Sequence, residues 1–399
     1  MKILHVLTQL PQKTGSGVYF TNLIKSLEDM GYENLALYGR EEDIDLDFPI
    51  KNYEEVLYMT DKLPFHICGM SDVMPYESTV YSQMTEGEID LLLEAFEEKL
   101  IKIKKEFKPD LIISHHLFFL TDLVRRTFPD VKVVGISHGT DIRQIKKHPR
   151  FLKRLSHIKE LDQVLTVTDQ EDETIREKLG VSNITLIGGG FNQDIFYENP
   201  NPKKDNTIRI MYAGKITRSK GVFELVKTIN ILEKKKYENI KLYIVGNASE
   251  KDLKTLKENA NYSENLIIHD AEDQKTMADH LREKDIFVLP SYFEALGLVA
   301  IEALACHKLV VTSYIEGLDK LLSPKIKEKK AIEFVSLPRI KNVDQAYEED
   351  KKAYVERLAQ AIDKQIQRLD KEIFTEEIVK EIDKYSWKNM GEKIFEIIK

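Results

Sequence analysis

Short apolar runs of strand length recur along this chain at 3–7, 35–38, 111–113, 131–136 and 164–167, and longer amphipathic stretches separate them. Continuous apolar runs suit strands covered on both faces, and the stretches between them suit helices that carry the chain back. The pattern therefore predicts a parallel sheet. A polar segment rich in proline and asparagine, 199–206, then breaks the rhythm and reads as a linker. Beyond it the rhythm starts again, with runs at 208–212, 241–245, 266–268, 286–289 and 309–311. Two doubly wound α/β domains are the predicted architecture. Residues 39–88 depart from the pattern, with an acidic stretch at 41–47 followed by Pro64, Cys68, Gly69 and Pro75, and are expected to form an irregular insertion. From Asp350 onward the pattern is helical, with the only tryptophan, Trp387, near the end.

Composition narrows the class. At 399 residues, 42% apolar and 32% charged, the chain is long enough for large cores and is globular rather than disordered. A net charge of −8 gives no overall positive field, so nucleic acid is not an expected partner. Cys68 and Cys306 lie far apart and fit no metal-ligand spacing, which argues against a disulfide framework or structural zinc. The N-terminal apolar run is too short for a signal peptide, and no transmembrane-length run occurs. A cytoplasmic protein is expected.

Three stretches could carry chemistry. The first strand leads into Thr14, Gly15, Ser16 and Gly17 and then an amphipathic helix, a turn that lets backbone amides approach a phosphate. In the second half a strand leads into Gly214, Lys215, Arg218, Lys220 and Gly221, a glycine-bounded basic loop suited to a diphosphate at the carboxyl end of a parallel sheet. The third stretch runs from Pro290. Glu294 falls in the loop after a buried strand, Gly297 and Leu298 open the next helix, and Glu302 sits inside an otherwise apolar segment. A helix start can hold an anion while two flanking carboxylates accept hydroxyl groups. Buried without a ligand or an ion pair, Glu302 would be costly.

These motifs resemble the retaining glycosyltransferases of family 4 (glycosyl transferases group 1), which have the GT-B fold. The two carboxylates Glu294 and Glu302, the upstream Lys215 to Lys220 loop and the Gly15-Ser16-Gly17 turn carry the resemblance, as do Ser137-His138-Gly139-Thr140-Asp141, Thr166 to Asp169 and Gly190 to Phe196. The resemblance implies two Rossmann-like domains facing across a cleft. An acceptor-binding domain would span 1–198, with the helix from about 385 to 399 packed back on it, and a nucleotide-sugar domain would span 207–384.

It also implies roles. Lys220 would pair with the diphosphate, together with Lys215, which stands where the family usually has arginine and keeps the charge without the bidentate fork. Glu302 would take the ribose hydroxyls and Glu294 the transferred sugar, beside the amides of Gly297 and Leu298. Gly214 and the Gly15, Ser16 and Gly17 turn would border the diphosphate, and His138 would lie against the sugar. The implied reaction moves a hexose or N-acetylhexosamine from a nucleotide-diphosphate sugar, uridine being the expected base, to an acceptor hydroxyl. No cofactor or metal is expected, because lysines and amides can meet the leaving charge. A sugar-nucleotide epimerase or hydrolase on the same fold, or a noncatalytic sugar-nucleotide-binding subunit, are the alternatives.

On the acceptor side the residues singled out are His115, His116, Asp141 and Arg143. The adjacent histidines lack a third metal ligand at a recognisable spacing, so packing is their expected role. Arg143, Lys146, Lys147, Arg150, Lys153, Arg154 and Lys159 form a cationic run without an intervening acid, which could attract an anionic acceptor or the inner surface of a membrane.

Overall fold

The strands expected from the apolar runs pair into two separate parallel sheets. The computed structural model describes every residue except 13, 47, 73, 202–204, 271 and 272, and the backbone alone at 235. Asp47 of the acidic stretch and the centre of the expected linker thus lie outside the described residues. The chain divides into two compact units, 1–189 with 390–399, and 190–389.

In the first unit seven strands, β1 (Lys2–Leu7), β2 (Glu33–Arg40), β3 (Tyr53–Leu57), β4 (Leu111–His115), β5 (Lys132–Ser137), β6 (Gln163–Thr166) and β7 (Ile184–Leu186), lie in the order β3-β2-β1-β4-β5-β6-β7. All pairings are parallel, and Val6 of β1 sits between Leu37 and Ser114. Helices α1 (Gly15–Asp29), α2 (Glu86–Glu106), α3 (Phe119–Thr127), α4 (Thr140–Lys147) and α5 (Asp172–Leu179) carry the chain between strands. Every residue of β4 is buried, as a strand covered on both faces requires.

The second unit repeats the plan. Strands β8 (Ile208–Ala213), β9 (Ile240–Val245), β10 (Leu266–His269), β11 (Ile286–Leu289), β12 (Leu309–Ser313) and β13 (Ile332–Val335) run in the order β10-β9-β8-β11-β12-β13. Helices α6 (Val222–Lys235), α7 (Glu250–Asn259), α8 (Gln274–Arg282) and α9 (Leu298–Ala305) alternate with them. In both sheets the order reverses beside the unit's first strand. Open α/β sheets hold ligands at such a point, beyond the carboxyl ends of the strands.

Two expectations need correction. The insertion is irregular only in part: β3 lies inside it, and Phe65, Ile67, Met70 and Tyr81 are buried in the first unit's core. The buried Glu41 carboxylate anchors it by accepting the Ile67 amide at 2.8 Å. Residues 190–198, expected with the first domain, cluster with the second unit. There the Phe191 amide donates to the Tyr385 carbonyl and the Trp387 amide to the Phe191 carbonyl, each at 2.9 Å, and Phe196 is buried in the second core. The last helix, Trp387–Ile398, clusters with the first unit from Met390 onward, where Phe395 stacks on Tyr32 at 4.4 Å. Both cysteines are free and buried. Among the described residues no helix is long and apolar enough to cross a membrane.

Candidate functional site

The second unit gathers its candidate residues where β8 and β11 end. Gly214 and Lys215 are exposed just past β8, and the Lys215 carbonyl accepts the buried Tyr212 hydroxyl at 2.8 Å. The loop closes in a short turn, Arg218–Lys220, and Gly221, whose φ of 63° begins α6. A Cβ at Gly221 would run into the Pro290 carbonyl, so glycine permits both the left-handed backbone and the contact between the two loops. The Tyr292 amide, donating to the Ser219 carbonyl at 2.9 Å, fastens that contact.

The Lys220 ammonium reaches Glu294 Oε1 at 2.6 Å, and the Ser291 hydroxyl donates to the same oxygen at 2.8 Å. Gly297, with φ 66°, starts α9, and no side chain caps it. The first amides of α9 therefore keep donors and positive potential for an anion. Glu302 lies on this helix, 7% exposed. Among the described residues its carboxyl group has no hydrogen bond or ion pair, and burial pushes it up to about 8. The ion pair that would have explained Glu302 structurally is absent there.

In the first unit the turn after β1 is tied by Gln9, whose amide donates to Thr14 Oγ1 at 3.0 Å and Ser16 Oγ at 2.9 Å. Thr14 caps α1 by accepting the Gly17 amide at 3.1 Å. A Cβ at Gly17 would press on the Leu10 carbonyl, whereas one at Gly15 would meet nothing. Only Gly17 is demanded by packing; Gly15 leaves an open face.

At the neighbouring strand ends His115 Nδ1 and His138 Nε2 share a hydrogen bond of 3.0 Å, and His116 lies 4.9 Å from the His138 ring. Burial holds His138 and His116 down at about 3, so both are neutral imidazoles. His138 is poorly suited to act as a general base at neutral pH and well suited to hold a hydroxyl. His116 has a left-handed backbone (φ 68°) and two buried ring nitrogens with no partner among the described residues. Asp141 is wholly buried. It accepts the Leu117 amide at 2.7 Å and the Ser137 hydroxyl at 3.1 Å, so it braces the loop that carries His138. Arg143 is exposed on α4.

The cationic run is not the free basic surface expected. Lys146 pairs with Glu171 at 2.6 Å, Lys147 with Asp72 at 2.8 Å, and Arg154 with Glu86 and Asp90 at 2.7 Å each. Lys153 stands 3.7 Å from Glu86, and Arg150 donates to the Ser82 and Met84 carbonyls. Acids from other elements take up most of the charge. Sequence reasoning also missed Gln9 and Ser291; their position at strand ends next to candidate loops was the available signal.

The sequence model described as Glycosyltransferase Family 4 matches residues 13–194, and that described as Glycosyl transferases group 1 matches 193–333. TuaC of Bacillus subtilis, named as a teichuronic acid biosynthesis glycosyltransferase, is 23% identical over 340 residues, 80% of this chain and 83% of its own. A D-inositol 3-phosphate glycosyltransferase of Arthrobacter is 33% identical over 119 residues, 29% of this chain and 28% of its own. Among solved structures, sucrose-phosphate synthase from Thermosynechococcus elongatus superposes with a TM-score of 0.70 at 16% identity, covering 100% of this chain and 98% of its own. HepE of Anabaena, in complex with UDP, gives 0.68 at 14%, covering 100% and 99%.

Proposed function

Since this chain belongs to the family 4 glycosyltransferases of GT-B fold, we propose that its second unit holds a nucleotide-diphosphate sugar and that the enzyme transfers the sugar with retention of anomeric configuration. The observation that carries this reading is Glu302, a buried carboxyl group with no counter-charge among the described residues, on the helix whose start lies beside the Lys220–Glu294 pair. Ribose hydroxyls supply the donors that Glu302 lacks. Lys220, with Lys215, turns to the diphosphate, and Glu294, relieved of Lys220, accepts a hydroxyl of the sugar.

Departure of the nucleoside diphosphate builds negative charge on a phosphate oxygen. Two ammonium groups and the open amides of α6 and α9 meet that charge where it forms, so transfer proceeds without added metal. The departing phosphate takes the acceptor proton on the same face of the sugar, and no protein base is needed. The first unit binds the acceptor on the side that carries His115, His116 and Arg143. A saccharide acceptor is favoured by CapM of Staphylococcus aureus, named for capsular polysaccharide biosynthesis, beside TuaC, named for teichuronic acid biosynthesis. UDP on the same fold in HepE favours uridine.

A thermal-shift panel of UDP-, GDP- and ADP-sugars on the full chain tests the proposal. One nucleotide should raise Tm, UDP being expected. Glu302→Ala should weaken that nucleotide by ~1–3 kcal/mol, the cost of leaving a buried hydrogen-bond partner unsatisfied. Unchanged affinity in that variant, or donor epimerised or hydrolysed with no need for an acceptor, would overturn it.

A further inference from the structure

At the end of the second sheet opposite the donor loops, where β11 and β12 begin, lies a pocket of about 210 Å³. Lys284 and Lys308, placed just before those strands, line it although they are only 4% and 7% exposed. Ammonium groups buried so deeply lose most of their hydration and need acceptors in return. Lys308 has one, the Arg282 carbonyl at 3.1 Å, which leaves two of its three N–H donors to the pocket. Lys284 lies over the Tyr243 ring at 4.2 Å and 3.6 Å from Glu283. Arg368 and Lys371 enter from the turn after the helix Glu348–Ile366; Arg368 is held by Glu333 at 2.7 Å, and Lys371 is exposed at the rim.

Glu283 and Glu333 thus stand beside Lys284 and Arg368, and Asp285 and Glu198 act on Lys308, which keeps N–H donors for an anion together with Lys371 at the rim. The remaining wall is of another kind. The rings of His307 and Phe374 stack on each other at 5.0 Å and 4° and both line the pocket, an aromatic wall able to pack against the C–H groups of a sugar. Glu198 and Asp285 add carboxylates beside it, Glu198 being 3.3 Å from His307 Nδ1 and Asp285 holding the Arg209 amide at 2.7 Å.

We propose that this pocket binds a hexose monophosphate, the phosphate on Lys308 and Lys371, the ring face on the His307–Phe374 pair, and hydroxyls on Glu198 and Asp285. The volume admits such a molecule. β11 spans four residues, so at ~3.3 Å per residue the pocket lies about 13 Å below the donor loops, on the far end of the same β11–α9–β12 unit. It is a site separate from the one assigned to the donor.

Isothermal titration of the full chain with glucose 6-phosphate, inorganic phosphate and glucose at matched ionic strength tests the assignment. Glucose 6-phosphate should bind saturably and about tenfold tighter than either fragment. Lys371→Ala, at the exposed rim where folding is spared, should weaken it about fivefold or more, and Lys308→Met should weaken it further. Lys220→Ala, in the donor loop, should leave it unchanged. Heats no larger than those of added sodium chloride overturn the site. So does loss of binding in Lys220→Ala with none in Lys371→Ala, which would put the phosphate in the donor loops. Glucose 6-phosphate no tighter than phosphate overturns the hexose assignment.

Discussion

Glu302 puts a carboxyl group into the apolar body of α9, and burial raises it from 4.5 to about 8. The unfolded chain ionises this group above 4.5 while the folded chain keeps it protonated, so its contribution to stability is complete below 4.5 and is lost as pH rises through about 8. The Tm of the unliganded protein should therefore fall across that window relative to Glu302→Gln, whose amide does not titrate. A parallel Tm profile in the two proteins would remove the assigned burial. Lys220 invites a different test. Its ammonium is held by Glu294 at 2.6 Å until a ligand arrives. Lys220→Met should lower affinity for UDP about tenfold or more, by ~1.5–3 kcal/mol, and leave uridine unaffected, as read by calorimetry. Glu294 and Glu302 were legible from the sequence because carboxylates beside a helix start in an apolar stretch are chemically conspicuous. Asp141 was legible as special, yet both its oxygens turn inward to Leu117 and Ser137. That is a matter of packing, which no residue type announces.

Among the elements, central strands were read from their apolar runs and edge strands largely were not. β3, β7 and β13 all lie at sheet edges. Their sequences, YEEVL, ITL and IEFV, are short or carry acids, because one side of an edge strand lacks a neighbour and its side chains are only partly covered. Loop geometry escaped in a similar way. The contact of Gly221 with Pro290 joins segments about 70 residues apart and aligns Lys220 with Glu294. Gly221→Ala would add strain at a φ of 63° and collide with the Pro290 carbonyl. We expect it to destabilise the second unit by ~1–3 kcal/mol in urea unfolding and to weaken nucleotide binding. Wild-type stability and affinity would show that the loop contact is dispensable.

For the whole molecule, the proposed metal-free transfer predicts that EDTA leaves turnover unchanged and that an α-linked donor yields an α-linked product by NMR. EDTA inhibition reversed by a divalent ion would shift the leaving-charge role away from the lysines. The neutralised cationic run predicts weak attraction to anionic vesicles: sedimentation with them at physiological salt should exceed that with neutral vesicles by little. The sequence by itself determined the two α/β sheets and the family and marked the candidate loop residues, because hydrophobic period and local motif are properties of neighbouring positions. Tertiary structure alone decided that residues 190–198 belong with the second unit, that Asp72, Glu86, Asp90 and Glu171 pair with the basic run, and that Glu302 goes without a counter-charge among the described residues. Charge pairing and burial depend on which distant segments exclude water together, and one-dimensional spacing does not encode that.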